Sequence, residues 1–268
     1  MERRHIKWFP IVLAALFFAY QYFTSEKFVN PETGRASHVG LSTQQESALG
    51  LQSYEQVLAQ SETIDSGPQL EMVKTVASRL VAATGSAGRD FDWKVSLVHD
   101  SQQNAFCLPG GKIVVYTGII PIAQSEAGLA TVLGHEMAHA TSRHGAQRVL
   151  QQNLEQTAMT GIAASLSDMD YNKQRAVMGA LGVSAKFGVL MPFSRQHESE
   201  ADEIGLIYMA RAGFDPQESI RFWKRMEQTN EAQPPEFLST HPSHGTRITQ
   251  LEALMPKALE EYHRAQQH

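Results

Sequence analysis

The chain of 268 residues contains a single cysteine, Cys107. No intramolecular disulfide can form, and a cage of thiolates around a metal is excluded, so any zinc must be held by histidine and carboxylate. An excess of positive charge is also missing. Lys and Arg number 23 against 28 Asp and Glu, for a formal charge of −5. That balance argues against a nucleic-acid partner, whose footprint would be a basic surface. Long apolar runs are scarce after Ser25. Asp168, Asp170, Lys173, Arg175 and Lys186 break the segment Leu154–Pro192 into pieces too short to cross a bilayer. What remains is a hydrophobic content of 42%, enough for a packed core in one domain of good size or two small ones.

The most informative stretch is Gly134-His135-Glu136-Met137-Ala138-His139, preceded by apolar Leu129, Val132 and Leu133. It reads H-E-x-x-H. On a helix, positions four apart share a face one turn apart, so His135 and His139 can hold one metal ion. Glu136 then lies beside the ion without binding it. A catalytic zinc needs this arrangement: neutral nitrogen ligands, an open position for water, and a carboxylate to take the water's proton. The helix is expected to begin at Ser125-Glu126 and run to about Gln151. His144 lies on it and reads as a surface or outer residue rather than a ligand. The third histidine of the metzincin pattern, after an intervening Gly, is absent, because positions 142 and 145 are Ser142 and Gly145.

At the N-terminus, Arg3, Arg4 and Lys7 precede a charge-free run from Trp8 to Ser25. The run is near the lower length limit for a membrane span. It ends in bulky Tyr20-Gln21-Tyr22-Phe23, without a small-x-small cleavage site, so an uncleaved signal anchor is expected in preference to a cleaved leader. Basic residues before the span place the N-terminus in the cytoplasm and the remainder across the membrane. The reading is a single-pass protein of a bacterial inner membrane with its domain in the periplasm; the alternative is a periplasmic or secreted form.

Residues 1–25 are therefore assigned to the anchor, 26–60 to a linker and first helix, and 61–268 to the main domain. Residues from about Glu26 to Thr43 read as a linker. Helices are expected from about Gln44 to Ala59 and from Gln69 to Ala83, the latter burying Leu70, Val73, Val76, Ala77 and Leu80. Phe91–Leu97 and Lys112–Tyr116 alternate as strands and read as a hairpin or part of a small antiparallel sheet. An exposed strand beside a zinc helix could bind a peptide through main-chain hydrogen bonds. Further on, Gly179, Gly182, Ala185 and Gly188 suggest close helix packing. Asp215-Pro216-Gln217-Glu218 opens a structural helix, and Glu231 to Thr240, with Pro234-Pro235, reads as a loop delivering His241.

Two histidines do not complete a catalytic zinc site; a third protein ligand is required. The next cluster is Ser194-Arg195-Gln196-His197-Glu198-Ser199-Glu200-Ala201-Asp202-Glu203. Glu198 and Asp202 are four apart on one helix face, so Glu198 could bind the metal while Asp202 accepts the outer N–H of a ligand histidine. Glu200 and Glu203 have Ile204 and Ile207 in the corresponding place and read as solvent-facing. They remain rivals, as does His197.

The set of motifs resembles the zinc metallopeptidase family that includes HtpX and the CAAX prenyl endopeptidases. It comprises His135-Glu136-x-x-His139, Ser194-Arg195-x-x-Glu198-x-x-Ala201-Asp202, Asn104-Ala105-Phe106-x-x-Pro109-Gly110-Gly111-x-Ile113 and His241-Pro242-x-x-x-x-Arg247-Ile248. With no further spans after the anchor, the chain is similar to the single-anchor bacterial members and the mitochondrial quality-control relatives. The resemblance implies a mainly α-helical gluzincin fold with a small antiparallel sheet (α+β). It implies one Zn2+ per chain on His135, His139 and Glu198, with Glu136 and His241 catalytic and Asp202 and Arg247 in the outer shell. Asn104, Ala105 and Phe106 are implied in substrate binding, and Arg247 could stabilise the oxyanion or orient His241. The function so implied is a membrane-anchored endopeptidase acting on unfolded or damaged membrane and envelope polypeptides. The alternative is a zinc-stabilised periplasmic chaperone or binding protein with little turnover.

Overall fold

The structure is a computed structural model and describes residues 7–180, 193–228, 236–241 and 245–267. Arg3, Arg4, the small-residue positions Gly182, Ala185 and Gly188, the Pro234-Pro235 pair and Pro242 lie outside the described residues. In chain order the elements begin with α1 (Trp8–Thr24), β1 (Glu26–Val29), β2 (Ala36–Val39), α2 (Thr43–Ala59), β3 (Thr63–Ile64) and α3 (Pro68–Ala83). Then come β4 (Lys94–Val98), β5 (Ala105–Leu108), β6 (Lys112–Tyr116), α4 (Ile120–Ala123), α5 (Glu126–Thr141) and α6 (His144–Ser165). The last are α7 (Tyr171–Ala180), α8 (Arg195–Arg211), α9 (Glu218–Gln228), α10 (Glu236–Thr240) and α11 (Arg247–Ala265). The described residues are thus mostly helical with two small sheets.

Two compact units divide the chain, one of residues 1–28, 36–42 and 146–191, the other of residues 29–35, 43–145 and 192–268. In the first unit α1 and α6 run antiparallel: Lys7 pairs with Asp168 at 2.8 Å, and Thr157 Oγ1 donates to Gln21 Oε1 at 2.9 Å. No residue of α1 is buried, and Trp8, Phe9, Leu16, Tyr20 and Phe23 are exposed. Among the described residues no helix is long and apolar enough to cross a membrane. With 17 residues, α1 extends about 26 Å, against a hydrocarbon core of about 30 Å. The spanning anchor expected from the sequence therefore has no support in the helix lengths. The stretch read as a linker also contains structure, because β1 and β2 pair as a two-stranded sheet.

The second unit holds the main core. Its sheet has the order β3-β4-β6-β5. β4 and β6 are parallel, with Lys94 opposite Lys112 and Val98 opposite Tyr116, whereas β5 runs antiparallel to β6. The expected all-antiparallel sheet is corrected to a mixed one. β4 and β6 are not joined by a tight turn; the chain between them first lays down β5, which leaves β5 as the outer strand. α5 fills the centre, with Leu129, Val132, Leu133 and Met137 fully buried between the sheet, α3 and α8. Each such side chain contributes about 1.5–3 kcal/mol by leaving water.

Ser125 caps α5, its side chain accepting from Gly128 N at 3.0 Å. The helix stops at Thr141 rather than continuing to Gln151. Arg143 takes a left-handed conformation (φ 54°). Its Nε donates to the buried Glu46 carboxylate of α2 at 2.6 Å. This tertiary ion pair outweighs local helix preference and turns the chain before α6.

Candidate metal centre

Helices α5 and α8 carry the site. Ser194 caps α8, accepting from His197 N at 3.2 Å, so Glu198 falls in the first turn. Asp202 follows one turn later on the same face. Where α5 and α8 cross, Gly134 and Gly205 meet: a Cβ on Gly134 would lie 2.9 Å from Gly205 O. Two residues without side chains let the backbones approach closely enough for Glu198 to reach both histidines.

The Nε2 atoms of His135 and His139 are 3.1 Å apart. Glu198 Oε2 lies 3.4 Å from His135 Nε2, and Glu198 Oε1 lies 3.5 Å from His139 Nε2. His241 Nδ1 stands 3.4 Å from His135 Nε2 and 3.1 Å from Glu198 Oε1. The four residues are buried, and their ligand atoms fall within 4.8 Å of one another. Donors at the corners of a zinc tetrahedron with bonds near 2.05 Å are separated by about 3.3 Å. The separations among His135, His139 and Glu198, taken to a different Glu198 oxygen for each histidine, lie near that value, and two imidazoles with a carboxylate are a donor set that suits zinc. His241 is the fourth residue of the cluster.

The outward-facing atoms are also engaged. His135 Nδ1 lies 2.8 Å from Asp202 Oδ1. Arg247, buried on α11, donates from Nε to Asp202 Oδ2 and from its terminal nitrogen to Glu198 Oε2, each at 2.7 Å. Its guanidinium also lies 4.0 Å from the centroid of the Trp223 ring. Arg247 is therefore bound to two carboxylates rather than to His241. His139 Nδ1 meets His144 Nδ1 at 2.9 Å, and His144 Nε2 meets Glu200 Oε2 at 2.9 Å. Glu200, expected to face solvent, is buried. Its partners come from distant segments rather than from four residues along its own helix, so spacing could not reveal them. Glu203 does lie at the outer face, paired with Lys257 at 3.0 Å. His197 stacks on His144 at 4.4 Å between centroids instead of entering the donor cluster.

Without a cation, burial alone would lower His135, but Asp202 and Glu198 beside it hold it at about 9. Burial alone would raise Glu198, yet the imidazoles of His135, His139 and His241 keep it ionised. Burial pushes Glu136 above its ordinary range, opposed by His241 and His135. Glu136 Oε1 lies 3.3 Å from His241 Nε2, and the Cys107 backbone N–H of β5 donates to this carboxylate. Of the strand residues expected to bind substrate, Ala105 is buried in β5 and Phe106 packs on Tyr116 at 6.0 Å; Asn104 sits just before the strand. Phe193 and Phe237 each stack on the His241 ring, at 5.2 and 4.6 Å between centroids.

A buried H-E-x-x-H helix, a glutamate from a second helix, and a free carboxylate beside them define a zinc metallopeptidase centre. Residues 69–255 match the profile of peptidase family M48, and the chain belongs to that family. It is 34% identical over 242 residues to the mitochondrial metalloendopeptidase OMA1 of Schizosaccharomyces pombe, covering 88% of this chain and 68% of that protein. It is 32% identical over 224 residues to the beta-barrel assembly-enhancing protease of Yersinia pestis, covering 82% of this chain and 46% of the relative. Human metalloendopeptidase OMA1, mitochondrial, is 32% identical over 260 residues, with 91% and 48% covered. The chain thus spans just under half the length of the last two. It is a zinc metalloendopeptidase, and polypeptides are its substrates.

Proposed function

We propose that His135, His139 and Glu198 hold the zinc and that Glu136 is the proton-transfer group of peptide hydrolysis. The single observation carrying this reading is the Glu136 carboxylate, buried beside the donor cluster with Oε1 3.3 Å from His241 Nε2 and its basicity raised by burial. Bound zinc supplies acidification of a water molecule and polarisation of the scissile carbonyl. Glu136 takes the proton from the attacking water and delivers it to the departing amine. Asp202 and Arg247 hold the ligands in place. A catalytic zinc would keep one coordination position for solvent, so His241 is assigned a role beside the metal rather than on it. Its imidazole then donates to the carbonyl oxygen as negative charge develops there.

The outer strand β5, with Asn104, Ala105 and Phe106, is the proposed docking edge for an extended peptide. Pairing through the main chain places a scissile bond near Glu136 without requiring a particular side-chain sequence. The substrates proposed are unfolded or damaged membrane and envelope proteins in a quality-control role. This rests on the beta-barrel assembly and mitochondrial relatives. The proposed location is the periplasmic side of a bacterial inner membrane. The exposed aromatic and aliphatic side chains of α1 support attachment there. Glu136→Gln is expected to retain zinc while losing hydrolysis of an unfolded protein. Cleavage at the wild-type rate would overturn the mechanism.

A further inference from the structure

We propose that His144 and Glu200, completed by the turn Asn30–Arg35, form a positioning chain that fixes His139 as a zinc ligand. The inference rests on the metal assignment above and concerns residues outside the donor set.

The geometry allows one order of protons. To bind metal, His139 Nε2 must present a lone pair, so its ring proton sits on Nδ1. That N–H points at His144 Nδ1, 2.9 Å away, which must accept. The remaining proton of neutral His144 is then on Nε2, which donates to Glu200 Oε2 at 2.9 Å. The chain ends in a carboxylate, and every contact that follows suits an ionised one. Thr33 Oγ1 and Asn30 Nδ2 donate to Glu200 Oε1 at 2.6 and 3.1 Å, and Arg35 Nε donates to Oε2 at 2.8 Å. His144 is completely buried and Glu200 nearly so. An unpaired carboxylate there would be costly, and the Arg35 guanidinium supplies the opposite charge.

His135 is served by one direct carboxylate, Asp202. His139 is served through an intervening imidazole, because the chain turns at Arg143 and places His144 between the ligand and α8. Asn30 also donates to Ser142 Oγ at 2.9 Å, tying the turn to the end of α5. The turn precedes the family-matching residues 69–255, so a segment N-terminal to the peptidase core takes part in the metal centre. Partners of this kind orient a ligand histidine and raise its basicity, and their removal lowers metal affinity by about 10–100-fold.

The test uses the full chain and zinc itself. Zinc affinity is measured by competition with a chromophoric chelator, the visible absorption of the cobalt(II)-loaded protein is recorded, and the metal-free form is melted. Glu200→Gln and Arg35→Met are compared with wild type, and with Glu203→Gln, which removes an equal charge from the outer face of α8. The expected result is zinc affinity lowered about 10–100-fold and a shifted cobalt spectrum for Glu200→Gln and Arg35→Met, and neither change for Glu203→Gln. His144→Phe, which keeps the ring volume and removes both nitrogens, should behave as Glu200→Gln. Should it fail to fold, the isosteric Glu200→Gln decides. Zinc affinity within about twofold of wild type and an unchanged cobalt spectrum, even with a lower melting temperature, would mean that the network only packs, and would overturn the proposal. A wild-type chain that binds no zinc would overturn the metal assignment, and this inference with it.

Discussion

Gly134 and Gly205 touch where α5 and α8 cross: a Cβ on Gly205 would stand 2.7 Å from His135 N and 2.9 Å from His135 Cα. No L side chain keeps such distances to backbone, so α5 and α8 would have to separate. Glu198, about two turns from Gly205 along α8, would move with the helix. Gly205→Ala is expected to cost about 1–3 kcal/mol through overpacking. Zinc affinity should fall as well, although the residue touches no metal ligand atom. Denaturant titration of the metal-free protein and chelator competition measure the two effects separately.

Arg247 joins two buried carboxylates by a fork, Nε to Asp202 and a terminal nitrogen to Glu198. Lysine carries the same charge but no fork and cannot reproduce both bonds. Arg247→Lys should therefore lower zinc affinity and hydrolysis together. Arg247→Met should lower stability by about 3–5 kcal/mol, because both carboxylates remain buried without their cation. Stability and zinc content equal to wild type in Arg247→Lys would show that charge alone is required.

Proton and metal compete for His135. In the metal-free protein its imidazole is held at about 9, above the ordinary 6.5. The stabilisation from this charged form is complete below the unfolded value and disappears as pH rises through about 9. Zinc requires the deprotonated ring, so apparent zinc affinity should rise by about tenfold per pH unit from neutrality toward pH 9 and then level off. His139 lies well below its ordinary value through burial and adds no competing proton over that range. Chelator competition at several pH values measures the slope. A flat profile would show that His135 does not lose a proton on binding.

What could be read from the chain before folding was whatever depends on spacing within one element. His135 and His139 share a helix face, as do Glu198 and Asp202, and the burial stripe of α3 follows helical periodicity. What escaped depends on partners far apart. Glu46 and Arg143 are 97 positions apart, yet they pair just where α5 ends, ten residues short of the expected Gln151; Arg35 and Glu200 are 165 apart. The hairpin expected from two strand patterns became a parallel pair because β5 is laid down between them, and strand direction leaves no mark on alternation. The motif offers Arg247 as an oxyanion stabiliser or as a partner of His241; its bonds go to carboxylates on a helix 45 and 49 positions earlier. The apolar run at the N-terminus folded as an exposed helix of 17 residues, a length at which hydropathy alone could not separate a span from a surface helix.

The most direct measurement is zinc content alongside hydrolysis of an unfolded protein by the purified chain, before chelation, after it, and after zinc is returned. The expected result is one zinc per chain, activity lost with the metal and regained with it, and no zinc retained by Glu198→Ala. Undiminished hydrolysis by metal-free protein, or a full complement of zinc in Glu198→Ala, would contradict the assignment of His135, His139 and Glu198 as the metal centre.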